Sequence, residues 1–359
     1  MAGVSAGQLG GYLLEEVVAW MLQSSGYRLL VASDQDPDEL VDGANGLRVR
    51  GRGAEHQADV LGELAYVPPF SLPLRMFIEA KCYKTERIGL GVVRNAHGVI
   101  DDVNQNWSMG NTGGPPRQRY QYLYALFSTS GFTLDAQRYA QAHQIVLVDL
   151  SEPSFFDLRT RLKTVSGLLI EAAGRDGHST IPLHAVRAQL RQGLGTALPS
   201  ASSPPYDTLR PDGNLVNTVQ AFSSYITEEW RSRLLLGFPS ARQILVLRTP
   251  DADTTAAVLS QHATHRIHLR RLEADDHTAQ WTADFGTDAA RLQLQFSLPS
   301  QIESWLTEVP DQYRARHSMF KTDFLSNIAV IYTYEGETRV TRLTYVAPEI
   351  GNEQDVVVD

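Results

Sequence analysis

Most of the chain consists of short apolar runs separated by polar turns bearing glycine or proline, and the period of each run sorts it into helix or strand. Leu14, Val17, Val18, Met21 and Leu22 recur at helical spacing and predict a helix from about Gly11 to Ser25, ended by Gly26. The apolar strand YRLLVA follows. After it, SDQDPDELVDGANG reads as a solvated acidic loop, because it lacks the spacing and final glutamate of a calcium loop. HQADVLGEL alternates and MFIEAKCY is an apolar run with two charges set into it, so the stretch from His56 to Tyr83 predicts two strands of a hairpin joined by the proline-bearing PPFSLP. VVRNAHGVIDDVNQNW then predicts a helix with Val92, Val93, Ala96, Val99, Ile100 and Val103 on its apolar side. The strand QYLYALFSTS, the helix LDAQRYAQAHQ and the strand IVLVDL complete an α/β core.

Residues 155–195 predict two amphipathic helices, FFDLRTRLKTVSGLLIEAA and LHAVRAQLRQGL, split by GRDGHST. The Pro/Ser/Ala-rich ALPSASSPPYD reads as a linker, which divides the chain into residues 1–170, a connector at 171–207 and a second domain at 208–359. That last part mixes the strand-like runs RQILVLRT, HRIHLRRL, QWTADF, RLQLQFSL, NIAVIYTY and RVTRLTYVA with the helical stretches TTAAVLSQHA and QIESWLTEV. It reads as α+β, with a hairpin turn at Glu335 to Thr338. His262, His265 and His268 have no acid or cysteine pattern beside them, so they read as ordinary histidines rather than a zinc site.

Composition narrows the class. With 359 residues, 43% of them hydrophobic and 20% charged, the chain is globular and long enough for two cores. One cysteine excludes a disulfide framework or a cysteine zinc cluster, and no run has the length of a membrane span, so a soluble cytoplasmic protein is expected. The net charge of -9 and pI near 5.6 argue against a protein that coats nucleic acid non-specifically. They leave room for a local basic groove. Candidates are Arg48, Arg50 and Arg52, Lys84 just past the second hairpin strand, and Arg117 and Arg119 at the end of the Gly/Pro-rich SMGNTGGPPRQR. On a strand the first three would share a face, which fits both a phosphate clamp and an edge strand protected by charge.

The candidate chemistry lies in the hairpin. Glu79 and Lys81 project from one face of their strand while Ile78, Ala80 and Cys82 point to the other, and Asp59 on the neighbouring strand can lie beside them. Two carboxylates suit a hard divalent cation such as Mg2+, and the lysine would steady an attacking hydroxide or the charge growing on a phosphate. That combination is suited to phosphodiester hydrolysis. Gln57 shares the face of Asp59 and could orient a water or contact substrate, whereas His56 faces away and reads as structural.

The D-x19-E-x-K pattern formed by Asp59, Glu79 and Lys81 resembles the PD-(D/E)xK nuclease superfamily, and its surroundings are most similar to the Mrr-like restriction endonuclease branch. Gly11 to Glu15 followed by VVAWML and Gly26-Tyr27 resembles that branch's first helix, and ALFSTSGFT, DAQRYAQAHQ and IVLVDL follow in the family's order. The resemblance covers about the first 150 to 170 residues. It implies a restriction-endonuclease-like mixed sheet flanked by helices, with the separate α+β domain after it. It also implies a Mg2+-dependent deoxyribonuclease, with Mn2+ as a substitute, that cuts DNA, in restriction or antiphage defence, and acts as a homodimer if it cuts both strands. Asp59 and Glu79 would hold the metal, Lys81 would support the nucleophile, Gln57 would complete the site, and Glu15 would reach the metal through a water. On position alone, Glu15 is also explained as a solvated residue of a first helical turn. Two alternatives stay open: an effector silent until a partner protein, guide complex or small-molecule signal acts through residues 208–359, and a non-catalytic nucleic-acid-binding subunit.

Overall fold

The computed structural model describes residues 4–44, 46–67, 70–106, 118–152, 155–197, 209–230, 233–239, 245–272, 280–287, 290–298, 303, 325–335 and 337–345. The chain divides into two compact units, Met1–Ser151 with Phe155–Glu228, and Glu152–Ser154 with Glu229–Asp359. The first unit thus continues past residue 207; most of the linker stretch lies outside the described residues.

The first unit runs α1 (Ala6–Ser24), β1 (Tyr27–Leu29), β2 (Leu40–Gly43), β3 (Gly46–Arg50), β4 (Glu55–Gln57), β5 (Val60–Leu64), β6 (Leu74–Lys81), α2 (Leu90–Asn104), β7 (Gln121–Ser128), α3 (Leu134–Ala142), β8 (Val146–Asp149), α4 (Phe156–Arg175), α5 (Leu183–Leu194) and α6 (Asn214–Ser224). Helix α1 starts earlier than its stripe predicts because Ser5 and Gln8 form a capping box. The Gln8 N–H donates to Ser5 Oγ at 3.3 Å and the Ser5 N–H to Gln8 Oε1 at 2.9 Å, and the buried Leu9 extends the apolar face.

The main sheet has the order β1-β5-β6-β7-β8. Its first three strands are antiparallel neighbours and its last three parallel ones, so it is mixed as expected. Alternation along β6 sends Met76, Ile78 and Ala80 toward the side covered by α1, while Arg75, Phe77, Glu79 and Lys81 share the opposite face. On that opposite face Phe77 stacks on Tyr124 with ring centroids 5.0 Å apart, within a core that includes Val93, Ala96 and Ile100 of α2 and Ala136 of α3. Helix α1 approaches β5 closely because Gly62 carries no side chain: a Cβ there would lie 2.6 Å from Leu22 Cδ2. Helix α6 packs on both α4 and α5, and α1 packs on α4 and α5.

Two readings of the sequence need correction. HQADVLGEL is not one strand: β4 joins β2 and β3 in a separate three-stranded sheet, and the chain bends at Ala58 and Asp59 before β5 begins. The acidic stretch after β1 is not merely solvated. Asp36 Oδ2 lies 2.6 Å and Glu63 Oε2 2.8 Å from Arg75 Nη2, and Arg75 also donates to the Tyr122 hydroxyl at 3.0 Å and stacks its guanidinium 3.3 Å from the Tyr120 ring centroid. Arg75 is 1% exposed, so it needs carboxylates, and the loop supplies one of them.

The second unit comprises β9 (Leu234–Phe238), β10 (Leu245–Arg248), α7 (Ala252–Leu259), β11 (Thr264–Leu272), β12 (Gln280–Thr287), β13 (Ala290–Ser297), β14 (Ile328–Tyr334) and β15 (Glu337–Tyr345). Its strands close into a barrel, β10-β13-β12-β11-β15-β14-β9, around Leu247, Ile267, Trp281, Phe285, Leu294 and Phe296. The β14–β15 hairpin forms where the turn signal stood. Closure was not foreseen, because it depends on which strands pair across the sequence, including the parallel β11–β15 pair. QIESWLTEV lies almost wholly outside the described residues. His265 is buried with a ring nitrogen 3.1 Å from the Leu259 carbonyl, a structural contact.

Candidate active site

The bend before β5 and the end of β6 meet. The Asp59 N–H donates to the Ile78 carbonyl at 3.0 Å, and the Ala80 N–H donates to Asp59 Oδ2 at 2.9 Å, so the Asp59 carboxylate is tied to the strand segment that carries Glu79 and Lys81. Lys81 Nζ lies 2.5 Å from Glu79 Oε1, and the Tyr124 hydroxyl donates to Glu79 Oε2 at 2.7 Å from the adjacent strand β7. Glu15 enters from α1, where Arg187 Nη2 of α5 lies 2.8 Å from its Oε2.

Two cavities open beside these groups. One of about 710 Å³ is lined by Tyr12, Glu15, Gln57, Asp59, His184 and Arg187 among others; a second of about 490 Å³ is lined by His56, Gln57, Glu79, Arg94 and Tyr124 among others. Gln57 borders both. Asp59 lines the first and Glu79 the second.

The electrostatics are those of a crowded acid cluster. Burial raises the proton affinity of Asp59 above the usual carboxylate range and the charge of Glu79 adds to it, although the Ala80 N–H and Lys81 pull the other way. Burial likewise lifts Glu15 to about 7; Asp59 and Glu16 add to the rise, and Arg187 opposes it. For Lys81, burial favours the neutral amine, but its contact with Glu79 and the nearby Asp59 outweigh it and hold the ammonium above its ordinary value. Among the described residues no group of three or more His, Cys, Asp or Glu is placed to hold a metal. A hard cation that keeps its waters needs no more than one or two carboxylates. Asp59 and Glu79 meet that requirement with oxygen donors.

The other expected residues fall in several places. His56 borders the smaller cavity, and its Nε2 lies 2.8 Å from Asp102 Oδ2 on α2. Arg48 lies across from Gln57 on the small sheet and 4.0 Å from Glu55; Arg50 is exposed on β3; Arg52, beyond the strand, donates to Gln105 at 3.2 Å. Lys84 is exposed just past β6. Arg119 is exposed before β7, at the end of the sheet opposite Lys81, more than roughly 20 Å away at strand rise. Arg117 lies outside the described residues. The sequence reading missed Tyr124 and Arg187. The alternation of Tyr122 and Tyr124 along β7 was a signal for the first; for Arg187 there was none, since its partner lies on another helix.

Residues 7–152 match the Mrr_cat family, described as a restriction endonuclease. No curated protein matches the chain. A solved structure titled as a protein of unknown function, AF1548, is 16% identical with a TM-score of 0.32, the alignment covering 60% of this chain and 97% of that one. Over residues 7–152 the chain is therefore similar to the Mrr_cat restriction endonucleases.

Proposed function

We propose that the protein is a divalent-metal-dependent endonuclease that hydrolyses DNA phosphodiester bonds at the site formed by Asp59, Glu79 and Lys81. The observation that carries the reading is the hydrogen bond from the Ala80 N–H to Asp59, which brings one acid beside a strand whose next residues outward are Glu79 and Lys81. Asp59 and Glu79 would hold Mg2+ or Mn2+, which when bound supplies Lewis acidity at the phosphate. Lys81 stabilises negative charge growing on the phosphate from a partly buried position, where its charge is less screened than in water. Tyr124 fixes the Glu79 carboxylate by donating to one oxygen, and Gln57 orients a water or a substrate oxygen between the two cavities. The cavities on either side leave room for nucleotides flanking the scissile phosphate, and Arg94 in the smaller one offers a phosphate contact.

A role in restriction or antiphage defence accords with the family. The barrel unit is the candidate for target recognition or for sensing a trigger. The test is incubation of purified protein with supercoiled plasmid in Mg2+, in Mn2+ and in chelator, beside a Lys81→Ala protein. Metal-dependent nicking or linearisation that the mutant lacks is the expected result. Intact plasmid with folded wild-type protein in all metals would reject a self-sufficient nuclease and favour the triggered or binding-only reading. Loss of supercoiling that survives in Lys81→Ala would reject the site.

A further inference from the structure

Glu15 and Glu16 are neighbours on α1, and two arginines one helical turn apart on α5 meet them. Arg187 donates from Nε to Glu16 Oε1 at 2.7 Å, while its Nη2 lies 2.8 Å from Glu15 Oε2; Arg191 Nε donates to Glu16 Oε2 at 2.9 Å. Glu16, 2% exposed, thus has a guanidinium on each oxygen. That clamp sets the register of α5 on α1. The other arm of the Arg187 fork reaches Glu15, which lines the same cavity as Asp59. Tyr12, one turn earlier on α1, lies beneath the guanidinium at 5.1 Å from ring centroid to Cζ and restricts where it can turn.

Packing one helix on another does not call for this arrangement. Buried ion pairs lose much of their Coulomb energy to desolvation and are often replaceable by apolar residues without loss of stability. A planar fork does something an apolar contact does not: it fixes two carboxylates at a set separation and orientation. We propose that Arg187 is a positioning residue of the nuclease site, holding the Glu15 carboxylate toward the Asp59 cavity and acting on cleavage through Glu15. This rests on the nuclease reading above. It extends the site beyond residue 152, where the family match ends, to a helix that the sequence reading treated as connector.

The test is a double-mutant cycle on the full chain, with Glu15→Gln, Arg187→Gln and the pair together, beside Arg187→Lys and Arg191→Gln. Each single change is expected to lower kcat on plasmid DNA by about tenfold or more while KM moves less than about threefold, and the double variant should be no worse than the poorer single. Arg187→Lys, which keeps a cation within reach of Glu15, should recover part of the loss. Arg191→Gln, which leaves the Glu15 contact intact, should lower Tm but keep kcat within about threefold of wild type. Losses that multiply in the double variant, wild-type kcat in Arg187→Gln, or an equal kcat loss in Arg191→Gln would overturn the proposal. Melting temperatures of the same proteins read the contact without activity: the double variant should lose less than the sum of the singles, and additive losses would overturn the coupling. If the wild type cuts no DNA in any metal, the nuclease reading fails and the catalytic half of the proposal fails with it. The melting cycle separates that failure from a failure of the Glu15–Arg187 coupling.

Discussion

The Asp59 carboxylate accepts a hydrogen bond from the Ala80 N–H at 2.9 Å, so an acid 21 positions earlier in the chain is anchored to the backbone between Glu79 and Lys81. The bond gives Asp59 a structural as well as a chemical task, and the two separate by substitution. Asp59→Asn keeps an oxygen for the Ala80 N–H and should melt near wild type, while Asp59→Ala should lose about 1 kcal/mol. Both, like Lys81→Ala, should lower cleavage by about 100-fold or more, because a charge rather than a shape is removed. Paired melting curves and plasmid assays check this; substantial cleavage by any of the three would reject the assignment.

Tyr124→Phe removes one donor from Glu79 and leaves the ring stacked on Phe77. A hydrogen bond to a charged group is worth about 1.5–3 kcal/mol, so cleavage should fall about tenfold with little change in secondary structure. Wild-type rates in the Phe variant would mean that Lys81 alone fixes Glu79.

Arg75 is the main buried cation of the sheet, and its removal strands Asp36 and Glu63. Arg75→Ala should destabilise the first unit by about 3–5 kcal/mol. Arg28, more than half exposed beside the same Glu63, should cost less than about 1 kcal/mol when changed to alanine. Urea unfolding of the two variants decides; similar losses would show that Arg75 is not a linchpin.

Glu15 is held at about 7 against an ordinary 4.5, by burial first and then by Asp59 and Glu16. A group whose folded-state proton affinity exceeds its unfolded one stabilises fully below the unfolded value, and the contribution is lost as pH rises through the folded value. In chelator, stability from this group should therefore fall by on the order of 2–3 kcal/mol between about pH 4.5 and 7. Denaturant unfolding at several pH values, repeated on Glu15→Gln, measures it. An unchanged slope in the variant would remove Glu15 as the source.

Sequence legibility differed from residue to residue. Glu79 and Lys81 were readable because a strand's period of two is a local property, and the apolar Ile78 and Ala80 show which side is buried. Asp59 was readable as a member of the pattern but not as the residue of a bend, since the break between β4 and β5 arises from β4 pairing with β3 in another sheet. The acidic loop was misread for the same reason: nothing near Asp36 in sequence announces that Arg75 will be buried beneath it.

By itself the sequence determined most of the helix and strand types, the strand that carries Glu79 and Lys81, and the mixed α/β character of the first unit, because each follows from periodicity within about ten residues. Tertiary structure alone decided that Arg187 meets Glu15 across 172 positions, that Tyr124 meets Glu79, and that seven strands close into a barrel. Those contacts join elements whose spacing along the chain carries no period, so they exist only once packing has chosen which surfaces face each other.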